Sequence, residues 1–299
     1  MLPPARNVVR RGVSCNGVAA EAVTRATAER RPAPARSARG SITKGDSMRV
    51  LLFLILAAVS SFATAQDYVR EKRWADQILP GLVVGEPVWI RQANDHEFLA
   101  IWTPADEARG AIILAHGRGW SPDFELYGVL RVKLAEQGYS TLSIQLPILG
   151  GGAKIGDYIP TYKDAAERFH LAAQWLQAKG YRDIAIVSHS LGATMANQYL
   201  ISTDDTLVKA WAFIGIINGL EEMFRIKIPV LDVYGSKDWE ITQVGAPERL
   251  RQITKIAGSR QVVVPDALHF FEGREDALTQ VVVEFLDGVF HERADAASR

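Results

Sequence analysis

The sequence predicts an α/β fold, a mainly parallel sheet with helices on both faces, and three observations carry that expectation. Short continuous apolar runs such as Ala111–Ala115 and Ile184–Val187 suit strands covered on both sides. Segments of helical period closed by glycine lie between them, Pro122–Gln137 before Gly138 and Tyr162–Lys179 before Gly180. The alternation continues to Phe290 without an internal repeat, which implies right-handed crossovers between parallel strands.

The elements follow in order. Leu82–Gln92 and Glu97–Thr103 read as two opening strands, the first interrupted by Gly85-Glu86-Pro87. Strand Ala111–Ala115 leads into helix Pro122–Gln137, whose apolar positions are Leu126, Val129, Leu130, Val132 and Leu134. Strand Thr141–Leu146 is followed by a loop, Pro147–Pro160, that contains Gly150-Gly151-Gly152. Helix Tyr162–Lys179 comes next, then the strand beginning at Ile184. Strands Lys209–Ile216 and Val230–Tyr234, helix Ala246–Ile256, strand Gln261–Val264 and helix Arg274–Phe290 complete the pattern. On such a sheet ligands sit at the carboxyl ends of the strands.

Residues 1–47 hold nine Lys or Arg against three acids and show no sustained apolar period, so they cannot offset their ordering entropy. A disordered basic tail, a transit peptide and translation upstream of the true start all fit this composition. Residues 48–65 decide among these: Met48-Arg49, an apolar run Val50–Val59, then Ala63-Thr64-Ala65 spell a secretory signal in order. The run is shorter than the roughly 20 residues a spanning helix needs. Met48 is therefore the expected start and Ala65 the expected cleavage site, against the alternative of an uncleaved anchor. The mature chain, 66–299, is then a single domain without an integral membrane span, periplasmic or secreted.

The whole chain balances 34 basic against 34 acidic residues. Residues 1–65 hold ten of the basic and three of the acidic ones, so residues 66–299 keep 24 against 31. That excess of negative charge argues against nucleic acid as a partner. The sole cysteine, Cys15, is removed with the leader, which excludes cysteine catalysis and a cysteine metal site.

The chemistry centres on Ile184–Ala193. A buried-type strand turns sharply at His189-Ser190 and enters a helix with a small-residue face, the context in which a nucleophile stands at the apex of a strained turn. Ser190 stands there, with Ser188 and Gly192 as its small neighbours. A serine hydroxyl needs a base, and the base needs an orienting carboxylate. His269, in the loop after strand Gln261–Val264, is the base candidate. His96, His170, His189 and His291 are poorer placed, and the His189 side chain is expected to diverge from that of Ser190. Asp238, in the loop after strand Val230–Tyr234, is the acid candidate. Asp232 competes with it but lies mid-strand.

The Ser188-x-Ser190-x-Gly192 spelling, with acid and histidine following in that order, resembles the α/β-hydrolase superfamily. The resemblance covers about residues 82–290. The compact layout and the Leu268-His269-Phe270-Phe271 loop are most similar to the dienelactone-hydrolase-like and related small bacterial branches. Dienelactone hydrolases use cysteine where this chain has Ser190, so their substrate does not carry over. The resemblance implies an α/β-hydrolase fold and an oxyanion hole from the N–H groups of Leu191 and of Arg118, in His116-Gly117-Arg118-Gly119-Trp120. His116 reads as a residue bracing that loop.

Trp120, Trp239 and Phe270 adjoin the site and are candidates for binding substrate, as is Phe271. Only Asn218–Pro229 separates two successive strands where many hydrolases insert a lid, so no sizeable lid is expected. The expectation is a serine hydrolase of small carboxylic esters acting through an acyl-enzyme, with no metal or organic cofactor implied. An acyltransferase or peptidase with the same triad, and a non-catalytic envelope-binding protein of this fold, are the alternatives.

Overall fold

The computed structural model describes residues 66–203, 207–217 and 219–297. The basic extension and the export signal read from the sequence lie outside the described residues. Eight strands form one sheet: β1 (Glu86–Arg91), β2 (Glu97–Thr103), β3 (Gly110–Ala115), β4 (Tyr139–Ile144), β5 (Ile184–His189), β6 (Val208–Ile214), β7 (Val230–Gly235) and β8 (Arg260–Val264). Their order is β1-β2-β4-β3-β5-β6-β7-β8. The β1–β2 and β2–β4 pairs are antiparallel, and every pair from β4 through β8 is parallel. The carboxyl ends of β3, β5, β7 and β8 therefore share one edge, where the predicted site loops emerge.

Strand alternation sorts the core into two layers. Ile113 and Ile186 face a cluster with Phe169, Ala172 and Leu176 of α3 (Tyr162–Ala178) and Met195 and Tyr199 of α4 (Leu191–Ser202). Ile112, Leu114 and Val187 face the other cluster, with Leu130 and Leu134 of α2 (Leu126–Glu136) and Leu278, Val282 and Leu286 of α6 (Glu275–Ala297). Period-two side chains on strands buried on both faces give this division directly.

Several elements differ from expectation, among them helix α2, which starts at Leu126 rather than Pro122, and the loop Pro147–Pro160, which runs into a 3₁₀ helix at Ile155–Thr161. β1 starts at Glu86 rather than Leu82, because the chain turns at Gly85 before pairing begins. Helix α5 runs Glu240–Ile253, six residues earlier than its apolar period indicated. Gly245 and Pro247 disguise its first turns. A Cβ at Gly245 would lie 2.9 Å from Arg249 Nη1, so glycine leaves room for that guanidinium. Helix α1 (Tyr68–Ile78) was not anticipated. It fully buries only Glu71 and Ala75, with Trp74 and Ile78 partly buried beside them, so its apolar stripe is short and crossed by a charge, although Asp67 caps it by accepting from Arg70 N.

Asp232 lies mid-strand, fully buried, and its carboxylate is committed to structure. Arg249 Nε donates to it at 2.8 Å and Gln261 Nε2 at 2.7 Å. Burial raises its pKa and Arg249 pulls it back. Removing one partner of such a pair leaves an uncompensated buried charge. Arg249→Met should lower unfolding free energy by about 3–5 kcal/mol in urea titration. The double variant with Asp232→Asn should lose clearly less.

Candidate active site

The turn at Ser190 is strained in the way the sequence implied. Ser190 has φ +53° and ψ −122°, a region costing a non-glycine residue about 1–3 kcal/mol. Ser190 N donates to Ile214 O at 2.9 Å, which ties the apex to the neighbouring strand. A Cβ at Gly192 would fall 2.3 Å from His116 O, so the residue two after the serine must be glycine. Ser188 is more than a small residue. Its Oγ accepts from the buried indole Trp211 Nε1 at 2.9 Å, a partner that glycine would not supply.

His269 Nδ1 lies 2.7 Å from Asp238 Oδ1, with both side chains buried. The same oxygen accepts from Trp239 N at 2.6 Å. Asp238 is held by Asp238 N donating to Gly235 O and by Lys237 N donating to Ala267 O, which joins the loops carrying acid and base. Gly215, at φ +56°, follows β6. A Cβ there would lie 3.1 Å from Asp238 Oδ2 and from His269 Nδ1, so only glycine suits both the backbone and the pair. With Nδ1 donating to the carboxylate, Nε2 is the atom left to take a proton. Nε2 is buried without a hydrogen-bond partner among the described residues, and no bond joins it to Ser190 Oγ. Such bonds are often long in unliganded sites and tighten with substrate.

Ser190 and His269 line one cleft of about 230 Å³. Arg118, Trp120, Trp239 and Phe270 line it too. Trp239 has a second role: its ring stacks on His269 at 3.6 Å between centroids, 14° from parallel. Trp120 stacks on Phe124 at 3.7 Å and meets Phe270 edge-on. Phe271 is fully buried in the core, away from this lining. Ile155 and Ile217 complete the wall and were not anticipated. Ile155 opens the short 3₁₀ helix Ile155–Thr161 and Ile217 follows the end of β6, and neither position carries a period that would mark it. The Leu191 side chain is buried, and its backbone N–H opens helix α4, where first-turn donors lack intrahelical partners.

The His116–Trp120 loop is braced by two histidines. Leu146 N donates to His116 Nε2 at 2.9 Å, so that nitrogen is an acceptor and Nδ1 carries the proton. His116 Nδ1 then donates to Gly117 O at 2.7 Å. The Gly117 carbonyl and the Arg118 N–H share one planar peptide, so holding the first aims the second. The Arg118 side chain is exposed and donates to Ala153 O at 3.3 Å.

His189 lines the cleft, with its ring 4.6 Å from that of His269. Its Nε2 faces His269 O at 2.9 Å, and a carbonyl only accepts, so Nε2 is protonated. Its Nδ1 therefore accepts the Tyr127 hydroxyl proton at 2.8 Å, while Gly117 N donates to the Tyr127 oxygen at 2.8 Å. One directed chain thus runs from the His116–Trp120 loop through the elbow to the backbone of His269.

Both bracing histidines are held neutral. Burial lowers His116 from its ordinary 6.5 to about 4, and burial with the nearby His269 lowers His189 to about 3. Between pH 6.5 and about 4 the unfolded chain binds protons at these two sites that the folded chain does not. Their contribution is fully present above pH 6.5 and is lost as pH falls. The stability should drop by up to roughly 1.4 kcal/mol per pH unit for each histidine. Denaturant midpoints at pH 7.5, 6 and 5 check this, and His189→Gln should flatten the slope.

Several known proteins resemble this one. Residues 47–155 match a protein family described as "Protein of unknown function (DUF3530)", a match that takes in α1 and the His116–Trp120 loop. No curated protein matches the chain. Among solved structures, a dienelactone hydrolase from Anabaena variabilis is 21% identical, with a TM-score of 0.55, over 69% of this chain and 97% of its own. An esterase from Pyrococcus furiosus is 16% identical, with a TM-score of 0.57, over 69% of this chain and 91% of its own. An α/β serine hydrolase without a lid, from Xanthomonas campestris, is 14% identical, with a TM-score of 0.53, over 71% and 95%. With the eight-stranded sheet and its strand order, these likenesses show that the chain has the α/β-hydrolase fold.

Proposed function

We propose that the protein is a serine hydrolase of small carboxylic esters. The observation that carries this reading is the buried Asp238–His269 pair at 2.7 Å, with a free Nε2 on the same cleft as a serine at a strained elbow. Ser190 Oγ attacks the acyl carbon as His269 Nε2 takes its proton, and Asp238 stabilises the imidazolium. The N–H groups of Leu191 and Arg118 receive the oxyanion. Collapse of the tetrahedral intermediate breaks the ester C–O bond, and His269 returns the proton to the leaving alcohol. Water then attacks the acyl-serine, giving its proton to His269, and the acid leaves as Ser190 is regenerated.

The cleft volume and its aromatic walls favour short acyl or aryl groups. The chain between β6 and β7 holds only a three-residue 3₁₀ turn, Met223–Arg225, among its described residues. The Xanthomonas hydrolase to which the chain is similar also lacks a lid, and both points favour soluble substrates.

Ser190→Ala should keep the fold and abolish turnover of a short soluble ester, a loss on the order of a million-fold in comparable triads. His269→Ala should be nearly as severe, and the double variant hardly worse, because the residues act as a unit. Labelling by a fluorophosphonate probe should follow the same pattern. Ser190→Ala that still turns over ester, or still labels, would sink the assignment.

We also propose export, from the signal pattern at 48–65. No described helix is long and apolar enough to cross a membrane. Expressed in a bacterium, the protein should be recovered from the periplasm beginning at Gln66, and N-terminal sequencing decides it.

A further inference from the structure

Helix α1 is seated by polar arms beside a short apolar stripe. Arg70 Nη1 donates to Leu149 O at 2.6 Å and Nη2 donates to Gly119 O at 3.2 Å. Gly119 follows Arg118 in the loop that aims the second oxyanion donor, and Leu149 belongs to the loop after β4. Glu71, the next residue of the helix, forms the second arm. Its carboxylate meets the buried Arg168 at 3.1 Å through both oxygens. Arg168 Nη1 donates to Gln145 O at 2.9 Å, and Gln145 Nε2 lies 2.9 Å from His116 Nε2 and donates to Trp120 O at 3.3 Å. Two consecutive residues of one helical turn therefore reach the two ends of the His116–Trp120 loop.

The chemistry of each arm suits positioning. A guanidinium is a rigid planar fork, so two carbonyls bound to it have a fixed separation. Arg70 thereby locks the Gly119 peptide to the Leu149 loop, while His116 locks the Gly117–Arg118 peptide from the other end. The helix is itself anchored at its start. Asp67 N donates to Ile148 O at 2.8 Å, and Arg168 Nη2 donates to Gln66 Oε1 at 2.9 Å.

We propose that α1 is a strap that sets the oxyanion loop, with Arg70 as its positioning residue. This rests on the serine-hydrolase reading. It assigns to residues 66–78 a part in transition-state stabilisation, although they touch neither Ser190 nor His269. Cutting the strap should let the Arg118 N–H drift from the position an oxyanion occupies. Substrate binding, which uses the cleft walls, should be little affected.

The test uses the whole protein with Arg70→Ala, Arg70→Lys and, as a control, Arg73→Ala on the exposed side of α1. Steady-state kinetics on a short ester and the rate of fluorophosphonate labelling at Ser190 are read beside the thermal midpoint. Arg70→Ala should lower kcat and the labelling rate about 10- to 100-fold, as for sub-ångström to ångström misplacement elsewhere, with KM changed less than about threefold. Arg70→Lys should fall between, and Arg73→Ala should match wild type. If Arg70→Ala does not fold, Arg70→Lys decides by the same split between kcat and KM. A folded Arg70→Ala with kcat within twofold of wild type overturns the strap while leaving the hydrolase reading intact. A wild-type protein that neither turns over ester nor labels at Ser190 overturns both.

Discussion

The backbone at Ser190 sits in a conformation that serine does not adopt freely, and the arrangement of the site follows from how that strain is held. Three restraints converge on the apex. The parallel pairing of β5 with β3 and β6 fixes the strand that leads into it. The bond from Ser190 N to Ile214 O fixes the turn, and the contact of Gly192 with His116 O presses helix α4 against the loop after β3. That last contact couples two features that lie far apart in sequence. The residue that permits the elbow also sets how close the proposed oxyanion loop comes to it.

Around this apex the polar groups are used with a definite direction. His116 and His189 are buried and neutral, and each has one nitrogen accepting and one donating. Protonating either would place two donors against one another in a dry interior, a cost that burial does not relieve. Neutrality is thus part of the geometry, because a neutral ring keeps a fixed tautomer and so orients the peptides it touches. The His269–Asp238 pair differs in kind. Its carboxylate is served by a ring nitrogen and a backbone N–H, and the other ring nitrogen is buried without a hydrogen-bond partner among the described residues.

Two buried carboxylates lie near the end of β7, and their surroundings separate their roles. Asp232 is neutralised by Arg249 and bonded by Gln261, which seats α5 against the sheet. Asp238, six residues later, pairs with no Lys or Arg among the described residues and faces His269 instead. A carboxylate already matched to a guanidinium is of little use for stabilising an imidazolium. The mid-strand position of Asp232 was legible in the sequence, but the arginine that claims it was not.

The sequence by itself determined the alternation of strands and helices, the elbow and the positions of Ser190, Asp238 and His269. Each of these is encoded locally, by periodicity, by a small-residue turn or by a residue at the end of a strand. Only the tertiary structure decided which side chains those residues meet. It put Trp239 flat against His269, Ser188 under the Trp211 indole and His189 in the wall of the cleft. It also revealed α1, a helix whose fully buried residues are one glutamate and one alanine and which binds through ion pairs and carbonyls from distant segments. A helix held in that way leaves only a short apolar period in the sequence, and its polar partners are contributed by residues some 50 to 100 positions further along the chain.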